Sequence, residues 1–94
     1  MTRHETRFEL SISAREDGTL EAVYIQVSDR EVARTEEIIE DVLLADYDAK
    51  GRIVGFEILA PVKIGQLIER VDRPKRASLN RFIEVAAPKQ FITA

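Results

Sequence analysis

The sequence contains no cysteine and only one histidine, His4. Without cysteine the chain cannot form a disulfide, a thiolate nucleophile or a zinc–sulfur site. A lone imidazole near the N-terminus, which we expect to be solvated, gives little basis for Ser-His-Asp or Cys-His catalysis. Carboxylates remain as acid–base candidates (Asp46, Asp48 and Glu57, or Glu36 and Glu37), but no pattern indicates the dry pocket they would need. We therefore expect no enzyme activity and no cofactor.

Long apolar runs are also missing. No stretch approaches the roughly 18 residues of a membrane span, and the N-terminal MTRHETRFEL lacks the apolar centre of a signal peptide. The absence of thiols suits a reducing compartment. We therefore expect a cytoplasmic protein with no membrane contact.

The charge differs between the two ends of the chain. Residues 1–62 hold 7 Lys/Arg and 14 Asp/Glu, whereas residues 63–94 hold 7 Lys/Arg and 3 Asp/Glu. The whole chain of 94 residues carries a net charge of −3. This length predicts one domain over residues 1–94, and the charge asymmetry indicates two structurally different parts.

The first part alternates apolar and polar residues with period two, which is typical of strands. Five strands are predicted, over residues 8–14, 20–28, 32–39, 42–47 and 52–59. Asp17-Gly18 predicts a two-residue hairpin turn between the first two.

After Pro61 the apolar residues recur with helical spacing. One stripe is formed by Ile64, Leu67, Ile68 and Val71, and a second by Leu79, Phe82, Ile83 and Ala86. Asp72 is a plausible N-cap for the second helix, which should end near Pro88. The predicted fold is α+β: a five-stranded antiparallel β-meander (7–60), two short C-terminal amphipathic helices (61–88) and a short tail (89–94).

The stretch ADYDAKGRIVGFEIL (45–59) looks at first like a calcium loop. From Asp46, however, the fifth ligand position is Lys50, and Glu57 at the twelfth lies in a strand-like run. Asp48-Ala49-Lys50-Gly51 is instead a favourable hairpin connection, with Gly51 in the left-handed conformation. We therefore predict a turn that binds no metal.

Three ordered motifs in this part resemble the domain of unknown function 2283 family. They are AVYIQVSD (22–29), VARTEEI (32–38) and DYDAKGRIVGFEIL (46–59). The resemblance covers residues 20–59 and implies a small β-rich domain with no assigned activity. Some such proteins look like antitoxin halves of two-gene toxin systems. The helical residues 62–94 lie outside it.

Two charged clusters are candidate binding sites. The acidic set could receive a basic partner, or could be only a solvated turn; it comprises Glu36, Glu37, Glu40 and Asp41. The basic set could contact nucleic acid, or could be only a solvated face; it comprises Arg70, Arg73, Lys75, Arg76 and Arg81. The function expected first is a non-catalytic protein-interaction module, antitoxin-like in character, with a nucleic-acid-binding regulator as the alternative.

The predicted sheet has apolar residues on both faces. In the second strand Val23 and Ile25 oppose Leu20 and Tyr24, and in the fifth Phe56 and Ile58 oppose Ile53 and Leu59. Such a sheet needs two covers, and the helical stripes suffice for about one. We therefore expect a homodimer formed through the sheet or the helices, which could be swapped between chains. A partner protein could cover the second face instead.

Overall fold

A computed structural model describes residues 7–94, so His4 lies outside the described part. The elements run, in chain order, β1 (Glu9–Ala14), β2 (Leu20–Gln26), β3 (Arg34–Ile39), β4 (Leu43–Tyr47), β5 (Ile53–Ile58), β6 (Val62–Lys63), α1 (Ile64–Ile68), α2 (Arg73–Ala86) and β7 (Ile92–Thr93). A five-stranded antiparallel sheet followed by two C-terminal helices confirms the predicted α+β class.

The strand order in the sheet is β1-β2-β5-β4-β3, which differs from the sequential order of a meander. Strands β3, β4 and β5 are joined by hairpins, and β2 pairs with β5, so β2–β5 form a Greek key. The reason lies in the composition of β5. Five of its six residues are buried, and a strand this apolar is best accommodated at the centre of a sheet.

One core holds the sheet and the helices together. Its largest side chains come from β5, β2 and β4 on one side and from both helices on the other; they include Phe56, Ile25, Leu43, Ile58, Leu67 and Leu79. We call the face of the sheet that contributes to this core the helix face, and the opposite face the open face.

Two of the residues predicted on a second apolar face, Leu20 and Ile53, lie on the helix face instead, because β-bulges change which way some residues point. The pairing of β1 with β2 skips Glu21, and the pairing of β4 with β5 skips Val54. Each skipped residue moves the side chains beyond it to the opposite face from the one that strict alternation predicts. Leu20 and Ile53 therefore pack against the same core as Ile25 and Phe56.

The C-terminal residues form part of the core and are not the tail that the sequence predicts. β7 pairs in parallel with β6, matching Val62 with Ile92. Phe91 and Ile92 are both buried. Within residues 7–94, no helix is long and apolar enough to cross a membrane.

Candidate functional site

The open face is the least covered large surface of the sheet. Antiparallel partners share a face, so the strand register assigns its residues directly. One row across the sheet is Glu9, Gln26, Gly55, Asp46 and Thr35, and the next is Ser11, Tyr24, Glu57, Leu44 and Glu37. These rows hold four carboxylates and no lysine or arginine.

A hydrogen-bonded network occupies the middle of the open face. The Tyr24 hydroxyl donates to Asp46 Oδ2 at 2.7 Å, and Thr35 Oγ1 donates to Asp46 Oδ1 at 2.6 Å. Burial raises the pKa of Tyr24 far above its usual value, and the neighbouring Asp46 adds to the shift. Tyr24 is therefore a stable neutral donor, and both oxygens of Asp46 have partners within the fold.

The ring of Tyr24 lies over Gly55 on the neighbouring strand. A Cβ atom at position 55 would lie 2.5 Å from Tyr24 Cζ and 2.9 Å from the Ile25 carbonyl oxygen. Both distances are shorter than van der Waals contact, so the position requires glycine. A glycine inside a strand pattern is a signal of close approach by another group, but the sequence does not say which group approaches.

The Asp48 turn is a hairpin, as predicted. The Gly51 N–H donates to the Asp48 carbonyl at 3.0 Å, and Gly51 has φ of 78°. The buried Asp48 carboxylate accepts the N–H groups of Lys50 and Arg52, each at 2.9 Å. Its Oδ2 also accepts Arg30 Nε at 2.6 Å and Arg52 Nε at 2.9 Å. The carboxylate thus holds the turn together.

We expect Gly51→Val to be far more damaging than Lys50→Ala. No atom lies within 4 Å of a Cβ at Gly51, so the cost comes from the backbone alone. A β-branched residue at positive φ costs about 1–3 kcal/mol. Urea unfolding of the two variants measures the difference, and equal midpoints would show that the turn does not need a left-handed residue.

Asp48 should make the protein acid-sensitive. Hydrogen bonds hold the pKa of Asp48 well below its usual value, and the bond from the Arg52 N–H has the largest effect. The Arg52 side chain, the Lys50 N–H and the Arg30 side chain lower it further. The folded pKa lies below the unfolded value of about 3.9, so this stabilisation is complete above that pH. It is lost as the pH falls below about 4.

The corresponding experiment compares thermal unfolding of the wild type and Asp48→Asn between pH 7 and pH 2. The variant should be less stable at neutral pH, and the two melting temperatures should converge in acid. Glu16→Gln, which changes an exposed carboxylate in the other hairpin, is the control. A constant gap between wild type and Asp48→Asn at all pH values would contradict the assignment.

Comparison with known proteins adds one finding to this geometry. Residues 17–60 match the family described as protein of unknown function (DUF2283). The match confirms the resemblance seen in the sequence and covers β2 to β5, the Greek-key part of the sheet. No curated protein and no solved structure matches the chain.

Residues 17–60, which we call the DUF2283 segment, contain the predicted acidic set. The structure places the members of that set on different surfaces. Glu36 and Glu37 are successive residues of β3 and therefore lie on opposite faces. Glu36 accepts Arg34 Nη1 at 2.7 Å, whereas Glu37 lies on the open face. Glu40 and Asp41 lie in the β3–β4 turn, where Asp41 has φ of 58°. Only Glu37 joins the carboxylates of the open face.

The predicted basic set lies outside the DUF2283 segment and does not form one surface. Arg76 donates to the Val71 carbonyl at 2.7 Å and the Glu69 carbonyl at 3.0 Å, so it stabilises the end of α1. Arg73 and Lys75 are two residues apart in α2 and thus about 200° apart around its axis. Arg70 lies between the helices, and Arg81 lies on the exposed side of α2.

Proposed function

We propose that the protein is a non-catalytic protein-interaction module of the cytoplasm whose open face binds a basic protein. The observation that carries this proposal is the composition of that face. Exposed Glu9, Glu37 and Glu57 surround the Asp46 network, and the register places no lysine or arginine between them. Such a surface is electrostatically complementary to a partner rich in lysine and arginine.

The role of the perturbed ionisable groups supports a non-catalytic function. Strongly shifted pKa values mark catalytic groups only when the group is free to exchange protons with a substrate. Here the Asp48 carboxylate accepts four hydrogen bonds that hold the turn together. The Tyr24 hydroxyl donates to Asp46. Both groups serve the fold.

The partner class fits the antitoxin-like character that the family resemblance implies. A toxin that cuts nucleic acid must attract phosphate and therefore presents a basic active site. A flat acidic face with hydroxyl groups from Ser11 and Ser13 could cover such a site. Long-range attraction between opposite charges would accelerate the association, and added salt would slow it.

The alternative function is a nucleic-acid-binding regulator that uses the C-terminal helices. The geometry supports it less well, because Arg76 donates to the carbonyls of Glu69 and Val71, between the two helices. In addition, Arg73 and Lys75 point to different sides of α2. Asn80, a candidate base reader on α2, donates to Glu84 at 2.9 Å.

The test is co-expression with the product of the neighbouring gene, followed by pull-down and calorimetry. We expect binding that weakens at high salt and is lost in the double variant Glu37→Lys/Glu57→Lys. Glu69→Lys, an exposed site near α1, is the matched control and should bind normally. Equal binding by the double variant and the wild type would contradict the open face as the site.

A DNA shift assay on the upstream region of the gene, with heparin retention as a first screen, addresses the alternative. Binding of DNA that is lost in Arg73→Glu/Arg81→Glu, with no partner captured, would replace the proposed function by the nucleic-acid one.

A further inference from the structure

The two edges of the sheet differ in how they are protected. Edge strands carry unpaired backbone groups, and natural proteins shield them with charges, bulges or covering elements. The β3 edge has Arg34, Glu36 and Glu37 and a bulge after Glu37. The β1 edge has no charged residue from Leu10 to Ala14, and its register shift comes only after Ser13. Within residues 7–94, the β1 edge is therefore the less protected of the two.

Exposed apolar side chains lie along the same edge. Ile12 is 46% exposed, and Val85 on α2 is 84% exposed. Phe8 precedes β1 and contacts Phe82 of α2, with ring centroids 5.8 Å apart. Phe8, Phe82 and Val85 line one groove. Leu10 and Ile12 continue from Phe8 along the helix face of β1, so the apolar strip and the free backbone edge coincide.

We propose that β1 pairs antiparallel with β1 of a second copy, around a two-fold axis at Ser11, to form a continuous ten-stranded sheet. The axis is set by the length of the regular ladder. That ladder runs from Glu9 to Ser13, and its centre is Ser11. Full overlap pairs Ser11 with its own equivalent, Leu10 with Ile12 and Glu9 with Ser13.

This register is self-complementary. Each Ile12 is covered by a Leu10 from the other copy on the helix face, and within the ladder from Glu9 to Ser13 no two like charges are opposed. The two-fold axis is perpendicular to the sheet, so both helix layers lie on the same side. Both open faces lie together on the other side. The inference does not depend on the basic partner proposed above, because pairing uses the backbone edge of β1 with Leu10 and Ile12 on the helix face, whereas the partner test changes Glu37 and Glu57 on other strands of the open face.

The chain lacks cysteine, which makes engineered disulfides a direct test of the register. In the proposed dimer the two Ser11 Cα atoms are about 5 Å apart, within reach of a disulfide. The two Ser13 Cα atoms are about 14 Å apart, which is too far. Oxidised Ser11→Cys should therefore run as a covalent dimer on a denaturing gel, and Ser13→Cys should not. Efficient cross-linking of Ser13→Cys with none at Ser11→Cys would overturn the register.

Light scattering tests the edge itself. The wild type should have twice the 10.7 kDa chain mass. Ile12→Lys should raise the dissociation constant about a hundredfold or more, since a two-fold interface contains the substitution twice.

Circular dichroism should show that Ile12→Lys stays folded, and Val85→Lys offers a second variant at an exposed site. Val32→Lys, at an exposed residue near the opposite edge, is the control and should stay dimeric. A monomeric wild type, or a dimer unaffected by Ile12→Lys and Val85→Lys, would overturn the proposal.

Discussion

Replacing Phe91 with alanine is expected to destabilise the protein by about 3–5 kcal/mol, the usual cost of removing a buried aromatic ring. Phe91 is 6% exposed and belongs to the core with Val62 and Ile83. A chain of this length has a total stability of roughly 5–14 kcal/mol. The loss would therefore leave a marginally folded protein.

Urea unfolding measures this loss, with Thr93→Ala as the control. Thr93 is exposed in β7, two residues after Phe91, so its replacement should change the unfolding free energy by less than about 0.5 kcal/mol. Truncation after Pro88 should be more severe than Phe91→Ala. It also removes the hydrogen bond from the Val62 N–H to the Phe91 carbonyl at 2.9 Å. Equal stability of the truncated and full chains would show that residues 89–94 are a tail after all.

The features that could be predicted from the sequence are those set by near neighbours. Period-two alternation located the five main strands to within a few residues, because it depends only on which successive side chains are buried. The same holds for the helical stripe of Leu79 and Ile83. Asp72 does stand at the N-cap position of α2, although its side chain makes no capping hydrogen bond there.

The features that could not be predicted depend on contacts between distant residues. Nothing local in β2 states that it pairs with β5 and not with β3. The bulges that skip Glu21 and Val54 have no strong signature, yet they move Leu20 and Ile53 to the helix face. The segment KQFITA is too short to show a period, so its burial depends on the groove that receives it.

The candidate site shows the same division. The turn residues Asp48 and Gly51 could be assigned from local chemistry. The Asp46 network joins Tyr24, Asp46 and Thr35 from three strands, and only the register brings them together. The acidic run looked like one cluster because its residues are close in sequence. The pleat of β3 separates Glu36 from Glu37.

Gly55→Ala is expected to cost about 1–3 kcal/mol or more, because the added methyl group overlaps the Tyr24 ring. The two residues are diagonal neighbours, since Tyr24 pairs with Glu57 and Gly55 with Gln26. A ring can reach a diagonal neighbour across antiparallel strands. The clash should therefore depend on the identity of residue 24.

A double-mutant cycle separates the ring from its hydroxyl group. In the Tyr24→Phe background the ring remains, so Gly55→Ala should still be costly. In the Tyr24→Ala background only the Ile25 carbonyl oxygen stays close, at 2.9 Å, and the cost should fall by at least about 1 kcal/mol. Equal costs in all three backgrounds would assign the requirement for glycine to the Ile25 backbone. A cost that falls only with Tyr24→Ala would show that Gly55, a residue of the DUF2283 segment, is needed to seat the ring that holds Asp46 in place.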